Sequence, residues 1–308
     1  MDAKSALLAF KQHGQHIELR GHRIFVSDYG KGPPVLFLHG FPTSSFDYVH
    51  LVPHLGPHRR LIFFDFLGFG CSDKPRAHAY SLIEQAAIAE ELVQRLGLLD
   101  TEPARSQGIE LVAHDMGSSV ALILLQRARV KVAKLVLLIG SVLLKYYRPL
   151  LSQRLLLNRF VGPVISALRL IRRPVFARQF RRLFPKPPPA DEIDAFYSLI
   201  TSHDGLRIYH RLIGYLRERA VHENEWFAAL AAHPAPLLVL WGQLDPVSRP
   251  RIAEAIVEAR KEARHQVRYV PLPALGHYPQ WEDPETVARE MLSFLTEATP
   301  AAPPSDSG

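Results

Sequence analysis

Cysteine is almost missing: Cys71 stands alone in 308 residues, so no disulfide can close within the chain and the fold must hold by packing. That suits a reducing compartment, and the cytoplasm is the default expectation. Long hydrophobic runs are missing too. Nowhere do about twenty apolar residues follow one another, as a spanning helix requires. The apolar patch in MDAKSALLAFKQHGQHIELRG is shorter than a secretory core with its cleavage site. A soluble protein is expected. Acidic side chains are missing from one stretch: Ser141 to Ala190 holds eleven Lys/Arg and no Asp/Glu, interleaved with apolar residues in LLLNRFVGPVISALRLIRRPVFARQFRRLF. Such a segment is either a solvated helical face above a hydrophobic pocket or a basic amphipathic surface for an acidic membrane or partner. No nucleic-acid-binding motif accompanies the net charge of +7, so nucleic acid is not the expected partner. No metal-ligand cluster or phosphate-binding glycine motif stands out, and no metal or organic cofactor is expected.

What is present is the makings of a large α/β core, with 47% hydrophobic and 22% charged residues. HIELRGHRIFVSDYG reads as two antiparallel strands turning at Arg20-Gly21. PVLFLHG, RLIFFDF, GIELVAHD and KLVLLIGS read as buried strands, with helical periods between them near 44–55, 81–97 and 116–129. From about 142 to 225 the pattern is helical and broken by prolines, and alternation resumes with APLLVLWG, a helix near 249–261, QVRYVPLP and a helix near 282–297. The expectation is one mostly parallel eight-stranded sheet with helices on both faces, formed by 1–141 and 226–297, interrupted by a helical cap at 142–225. The Pro/Ser-rich 298–308 is expected to be disordered.

Four places along this pattern can carry chemistry. Ala113-His114-Asp115-Met116-Gly117 joins a strand to a helix, with small residues two before and two after Asp115, as a sharp turn with an exposed apex requires. A capping aspartate at a helix start would read the same way. His39-Gly40-Phe41 follows a buried strand, and the N–H groups of Phe41 and Met116 could converge into an oxyanion hole. Asp245 ends another strand, where a carboxylate can orient an imidazole. His277 follows the last strand, and the order of Asp115, Asp245 and His277 at strand ends sets this histidine apart from the other fourteen.

Taken together, HGFPTSSFDY, DFLGFGCSDKP, HDMG, WGQLDP and GHYPQWEDP resemble the α/β-hydrolase superfamily, in its branch of epoxide hydrolases and haloalkane dehalogenases. FLGFGCSDKPRAHAYSLIEQA narrows the resemblance to the mesoderm-specific transcript group. The resemblance implies Asp115 as nucleophile, His277 as base and Asp245 as its orienting acid. It also implies cap tyrosines as acids, with Tyr215 at one such place, while Tyr146, Tyr147 and Tyr209 leave the second open. His39, His114, Tyr146 and Tyr147 are candidates to line the substrate site. In DFLGFGCSD, Asp65 and the glycines are read as shaping a loop.

A carboxylate attacking an ester carbonyl would form an anhydride, which suits turnover poorly. Attack on a saturated carbon gives an ordinary alkyl ester that activated water can cleave. Halide leaving groups want N–H donors, and neither Met116 nor Phe41 has a side chain that can donate. The expectation is therefore an epoxide-hydrolase-like enzyme acting on a small hydrophobic substrate, the apolar cap residues Leu155, Phe160, Phe180, Phe196 and Trp226 pointing the same way. The alternatives are dehalogenation by the same Asp-His-Asp set, and a non-catalytic protein whose basic cap touches membranes.

Overall fold

A computed structural model of the chain describes residues 2–98 and 108–298. The strands are β1 (Gln15–Leu19), β2 (His22–Tyr29), β3 (Pro34–Leu38), β4 (Arg60–Phe64), β5 (Ile109–His114), β6 (Val132–Leu138), β7 (Leu237–Gly242) and β8 (Val267–Leu272). They form one eight-stranded sheet in the order β1-β2-β4-β3-β5-β6-β7-β8. β2 is antiparallel to both β1 and β4, and β4 through β8 run parallel. The β1–β2 turn falls at Arg20 and Gly21, both at positive φ, the backbone a tight hairpin needs.

Every residue of β5 and β7 is buried, and both segments are accordingly dominated by apolar residues. Both faces of the sheet are covered by helices, including Leu82–Arg95, Met116–Arg127, Arg251–Glu262 and Pro284–Thr296. One helix escapes the sequence pattern. Ala3–His13, capped by Asp2, packs Phe10 against Phe25 and Phe46 with ring centroids 5.2 and 5.3 Å apart.

The insertion after β6 is helical, with Leu151–Leu157, Val161–Ala167, Arg173–Phe180, Ala190–Thr201 and Tyr215–Ala232 as its main helices. No named strand lies in it, and one isolated bridge pairs Tyr147 with Ser248. The return to the core, expected at 225, falls inside the continuous helix Tyr215–Ala232, which packs against Met116–Arg127. Of the segment expected to be disordered, 299–308 lies outside the described residues. Among the described residues no helix is long and apolar enough to cross a membrane.

Candidate active site

The parallel strands deliver three side chains to one end of the sheet. Asp115 sits between β5 and the Met116–Arg127 helix with φ 48° and ψ −110°, a left-handed backbone that is strained for a residue with a Cβ. Close approach of the turn to β3 makes this geometry possible. A Cβ on Gly117 would lie 2.1 Å from the Leu38 carbonyl oxygen, and one on Gly40 would lie 2.8 Å from Asp115 Cβ. With Gly40 bare, the Phe41 N–H reaches Asp115 Oδ1 at 3.0 Å. The Met116 N–H heads its helix, where no intrahelical acceptor exists.

His277 stands after β8. Its Nδ1–H donates to Asp245 Oδ2 at 2.8 Å, and its Nε2 lies 3.8 Å from Asp115 Oδ2. Asp245 is fixed in turn by the Val247 N–H, 2.7 Å from its Oδ1. Burial pushes the His277 imidazolium towards losing its proton, but the Asp245 charge and hydrogen bond, together with Asp115, outweigh it and raise the pKa to about 9. Glu282 braces the loop from below, accepting the N–H groups of Gly276 and Tyr278 at 2.8 and 3.0 Å. The cap reaches the same loop, as the Leu183 carbonyl accepts the His277 N–H at 3.0 Å.

His39 and His114, expected beside the substrate, are fully buried in the framework. His39 donates from Nδ1 to the Gly40 carbonyl at 2.9 Å and accepts the Phe66 N–H at Nε2, 2.9 Å away. Both ring nitrogens are thus spent on backbone, and burial lowers its pKa to about 4. His114 donates from Nε2 to the His277 carbonyl at 2.7 Å, with burial holding it neutral at a pKa of about 3. Its Nδ1 is buried without a hydrogen-bond partner. Asp65 acts as read from the sequence: it accepts the Ser45 N–H at 2.8 Å and the Cys71 N–H at 2.7 Å, joining two loops.

The cap contributes what spacing left open. Tyr146 ends the short 3-10 turn Leu144–Tyr146, and Tyr147 follows it in extended backbone. Tyr146 lies outward beneath the Lys145 ammonium, 4.9 Å from its ring, while Tyr147 is buried. The Tyr147 and Tyr215 hydroxyls are both buried without a hydrogen-bond partner. Burial, then the Asp115 charge, raises the pKa of each, so both phenols stay protonated. One turn beyond Tyr215, Arg219 is buried with its guanidinium 5.3 Å from the Tyr215 ring. It donates to Ser119 Oγ and to both oxygens of Ser141, and the Ser141 hydroxyl lies 3.4 Å from Asp115 Oδ2. Burial lowers the Arg219 pKa from its ordinary value. Sequence reasoning missed Arg219, Ser119 and Ser141. The available signal was the four-residue spacing from Tyr215, which puts both side chains on one helix face.

Between cap and core lies a mostly apolar chamber whose walls include Phe41, Leu150, Leu156, Phe180, Leu183, Tyr209 and His277. Its free volume is about 40 Å³, room for a few waters, so a larger organic guest must displace cap side chains. Of the apolar cap residues singled out in the sequence, Phe180 lines this space, Phe196 and Trp226 are buried and Leu155 and Phe160 are exposed. Among the described residues one set of metal-ligating side chains comes together, His22, His78 and Glu84. None of the three lines the chamber.

Residues 33–284 match the family described as alpha/beta hydrolase fold. LipZ of Mycobacterium tuberculosis, whose name assigns it provisionally to the hydrolases, is 40% identical over 285 residues, spanning 89% of this chain and 93% of LipZ. The mesoderm-specific transcript homolog protein of Bos taurus is 35% identical over 305 residues, spanning 94% of this chain and 88% of its own length. Among solved structures, haloalkane dehalogenase DbeA from Bradyrhizobium elkani superposes with a TM-score of 0.76 at 22% identity, covering 92% of this chain and 97% of DbeA. Epoxide hydrolase CorEH superposes at 0.71 with 22% identity, covering 92% and 98%. At that identity the two structures speak for the fold alone.

Proposed function

The chain belongs to the alpha/beta hydrolase fold family, and on that footing we propose that it is an epoxide-hydrolase-like enzyme working through an alkyl ester on Asp115. The observation that carries the reading is the pair of partnerless buried phenols, Tyr147 and Tyr215, set against a carboxylate nucleophile whose Oδ1 already accepts a backbone N–H. Phenols suit an epoxide oxygen, which needs a proton as its ring opens.

Asp115 Oδ2 attacks the epoxide carbon, the C–O bond breaks and one tyrosine passes its proton to the departing oxygen. The resulting ester removes the Asp115 charge, one of the influences holding the His277 proton. The imidazolium therefore yields its proton more readily, to the tyrosinate left by ring opening, and the neutral ring is free to act as base at the step that needs one. Water gives a proton to His277 and its oxygen bonds to the ester carbonyl carbon. The tetrahedral oxyanion forms where Oδ1 already meets the Phe41 N–H, with the Met116 N–H as second donor. Collapse releases the alkoxide, which takes the hydroxyl proton left on the Asp115 carboxyl, and His277 ends protonated as it began. The sum is epoxide plus water to diol. Asp245 holds the imidazole throughout, and no step calls on a metal or organic cofactor.

Dehalogenation is the less natural outcome, because the side chains of Met116 and Phe41 offer a halide no donor. A single turnover in heavy-oxygen water tests the chemistry. The incoming label should remain on the Asp115 carboxylate while an unlabelled side-chain oxygen leaves in the diol. Label passing straight into product would rule the ester out.

A further inference from the structure

Large apolar side chains left in water are concentrated in one region. Twelve are exposed among the described residues, and eight of them fall between Leu151 and Val175 in the first three cap helices and their links. Leu151 is 72% exposed, Phe160 71% and Leu168 63%. The spacing is that of helix stripes: Leu151 and Leu155 lie one turn apart, and Val161, Val164 and Leu168 follow at three- and four-residue steps. The inner sides of the same helices are committed to the protein. Leu156 and Ser166 are buried, and Ser166 Oγ accepts the His210 N–H at 3.0 Å. Asn158 Oδ1 accepts the N–H groups of Phe160 and Val161, both at 3.0 Å, and holds Phe160 at the tip of the hairpin between the two helices.

Charge surrounds these stripes. Ten of the eleven Lys/Arg between 141 and 190 are exposed. Among the described residues only Arg169 and Arg173 of that set form ion pairs, with Asp204 and Asp194. Elsewhere among the described residues, five of the eleven exposed arginines form ion pairs, Arg251 among them with Glu254 and Glu258.

We propose that this face of the cap docks on an anionic lipid bilayer, with Leu151, Leu155, Phe160, Val164 and Leu168 among the acyl chains and the unpaired arginines against the headgroups. A merely solvated face would not leave so much apolar surface uncovered. A second copy of the chain cannot cover it by two-fold contact without bringing unpaired cations face to face. No described helix can span a bilayer, so the helices lie in its plane. Leu150, Ser152, Gln153 and Leu156 wall the chamber from the very helix that carries Leu151 and Leu155. Docking therefore puts that wall at the lipid, and, resting on the hydrolase reading above, it makes the substrate a lipid-dissolved one that enters past this helix.

The test is sedimentation of the full chain with phosphatidylcholine vesicles, with and without added phosphatidylglycerol, at low and raised salt. Partitioning should rise on the order of tenfold or more with the anionic lipid and fall with salt. Phe160→Ser with Leu168→Ser should lower it about tenfold, and Arg159→Glu with Arg172→Glu should lower it at least as far. All four side chains are exposed and none walls the chamber, so melting temperature should not change. Failure to sediment with anionic vesicles would overturn the proposal. So would salt-sensitive binding indifferent to the serine variants, or equal capture by polyglutamate, which would mark an acidic protein as the partner. Sedimentation needs no turnover, so its failure leaves the Asp115 chemistry standing, and an inert chain that still sediments would count against the chemistry alone.

Discussion

The sheet end and the cap each supply part of one site, but they hold their contributions differently. At the sheet end, Asp115, Asp245 and His277 each follow a strand, and backbone N–H groups or neighbouring side chains engage every one of them. In the cap, the Tyr147 and Tyr215 hydroxyls and Arg219 Nε are buried without partners. Groups anchored by hydrogen bonds are already in the geometry that covalent chemistry needs, whereas unbonded donors keep their capacity for a guest. On the proposed chemistry the difference is a division of labour: the core fixes the bond-making atoms, and the cap meets the leaving group and selects what enters.

The most severe way to break this comparison is Asp115→Ala. It should cut turnover of any accepted epoxide by about 10⁴-fold or more while circular dichroism stays native. Residual activity near wild type would move bond-making away from the core. His277→Gln should leave the first half of the reaction in place and slow the second by about 10³-fold, so intact mass should rise by that of the substrate. Absence of the adduct with a proven substrate would mean that His277 serves the first step instead.

Smaller effects sharpen the cap's side. Tyr215→Phe and Tyr147→Phe should each slow single-turnover ester formation by about ten- to a hundredfold, with hydrolysis of a preformed ester unchanged. If both phases slowed alike, the phenols would be packing residues. Arg219→Lys keeps the charge but loses the fork that joins Ser119 to Ser141, and should slow ester formation roughly tenfold, with Ser141→Ala acting in the same direction. The smallest expected effect is on stability. The His277 pKa of about 9 lies above the ordinary 6.5, so its ion pair with Asp245 stabilises fully below about 6.5 and fades as pH rises through about 9. The melting advantage of wild type over His277→Gln should shrink across that window, by on the order of a few degrees. An advantage independent of pH would mean that packing alone, and not charge, holds the imidazole.

The same division explains what could be read from the chain. All eight strands, the Arg20-Gly21 turn and the order Asp115, Asp245, His277 were legible because buried strands announce themselves as apolar runs and their ends are sparse, special positions. The Ala3–His13 helix was not, since it buries only Ala3, Leu7 and Phe10, too few to mark a clear stripe. In the cap, roles depend on which side of a helix or extended segment a residue occupies after packing. Tyr215 was reached through resemblance, but the choice of Tyr147 over Tyr146 needed the bridge to Ser248. His39 and His114 flank the right turns for ligand contacts, yet both are fully buried, His39 bonded to backbone through both ring nitrogens and His114 through one. Arg219 stood in an ordinary-looking surface sequence, YLRERAVHE, and only docking of that helix on Met116–Arg127 puts it under cover.

The apex that presents Asp115, the proposed nucleophile, also carries a thermodynamic liability. A side chain held at φ 48° and ψ −110° costs about 1–3 kcal/mol that glycine would largely recover. Selection for heat resistance alone would therefore drift towards Asp115→Gly, yielding sturdier proteins that have lost their purpose, and any programme to harden this molecule has to screen for turnover at every round.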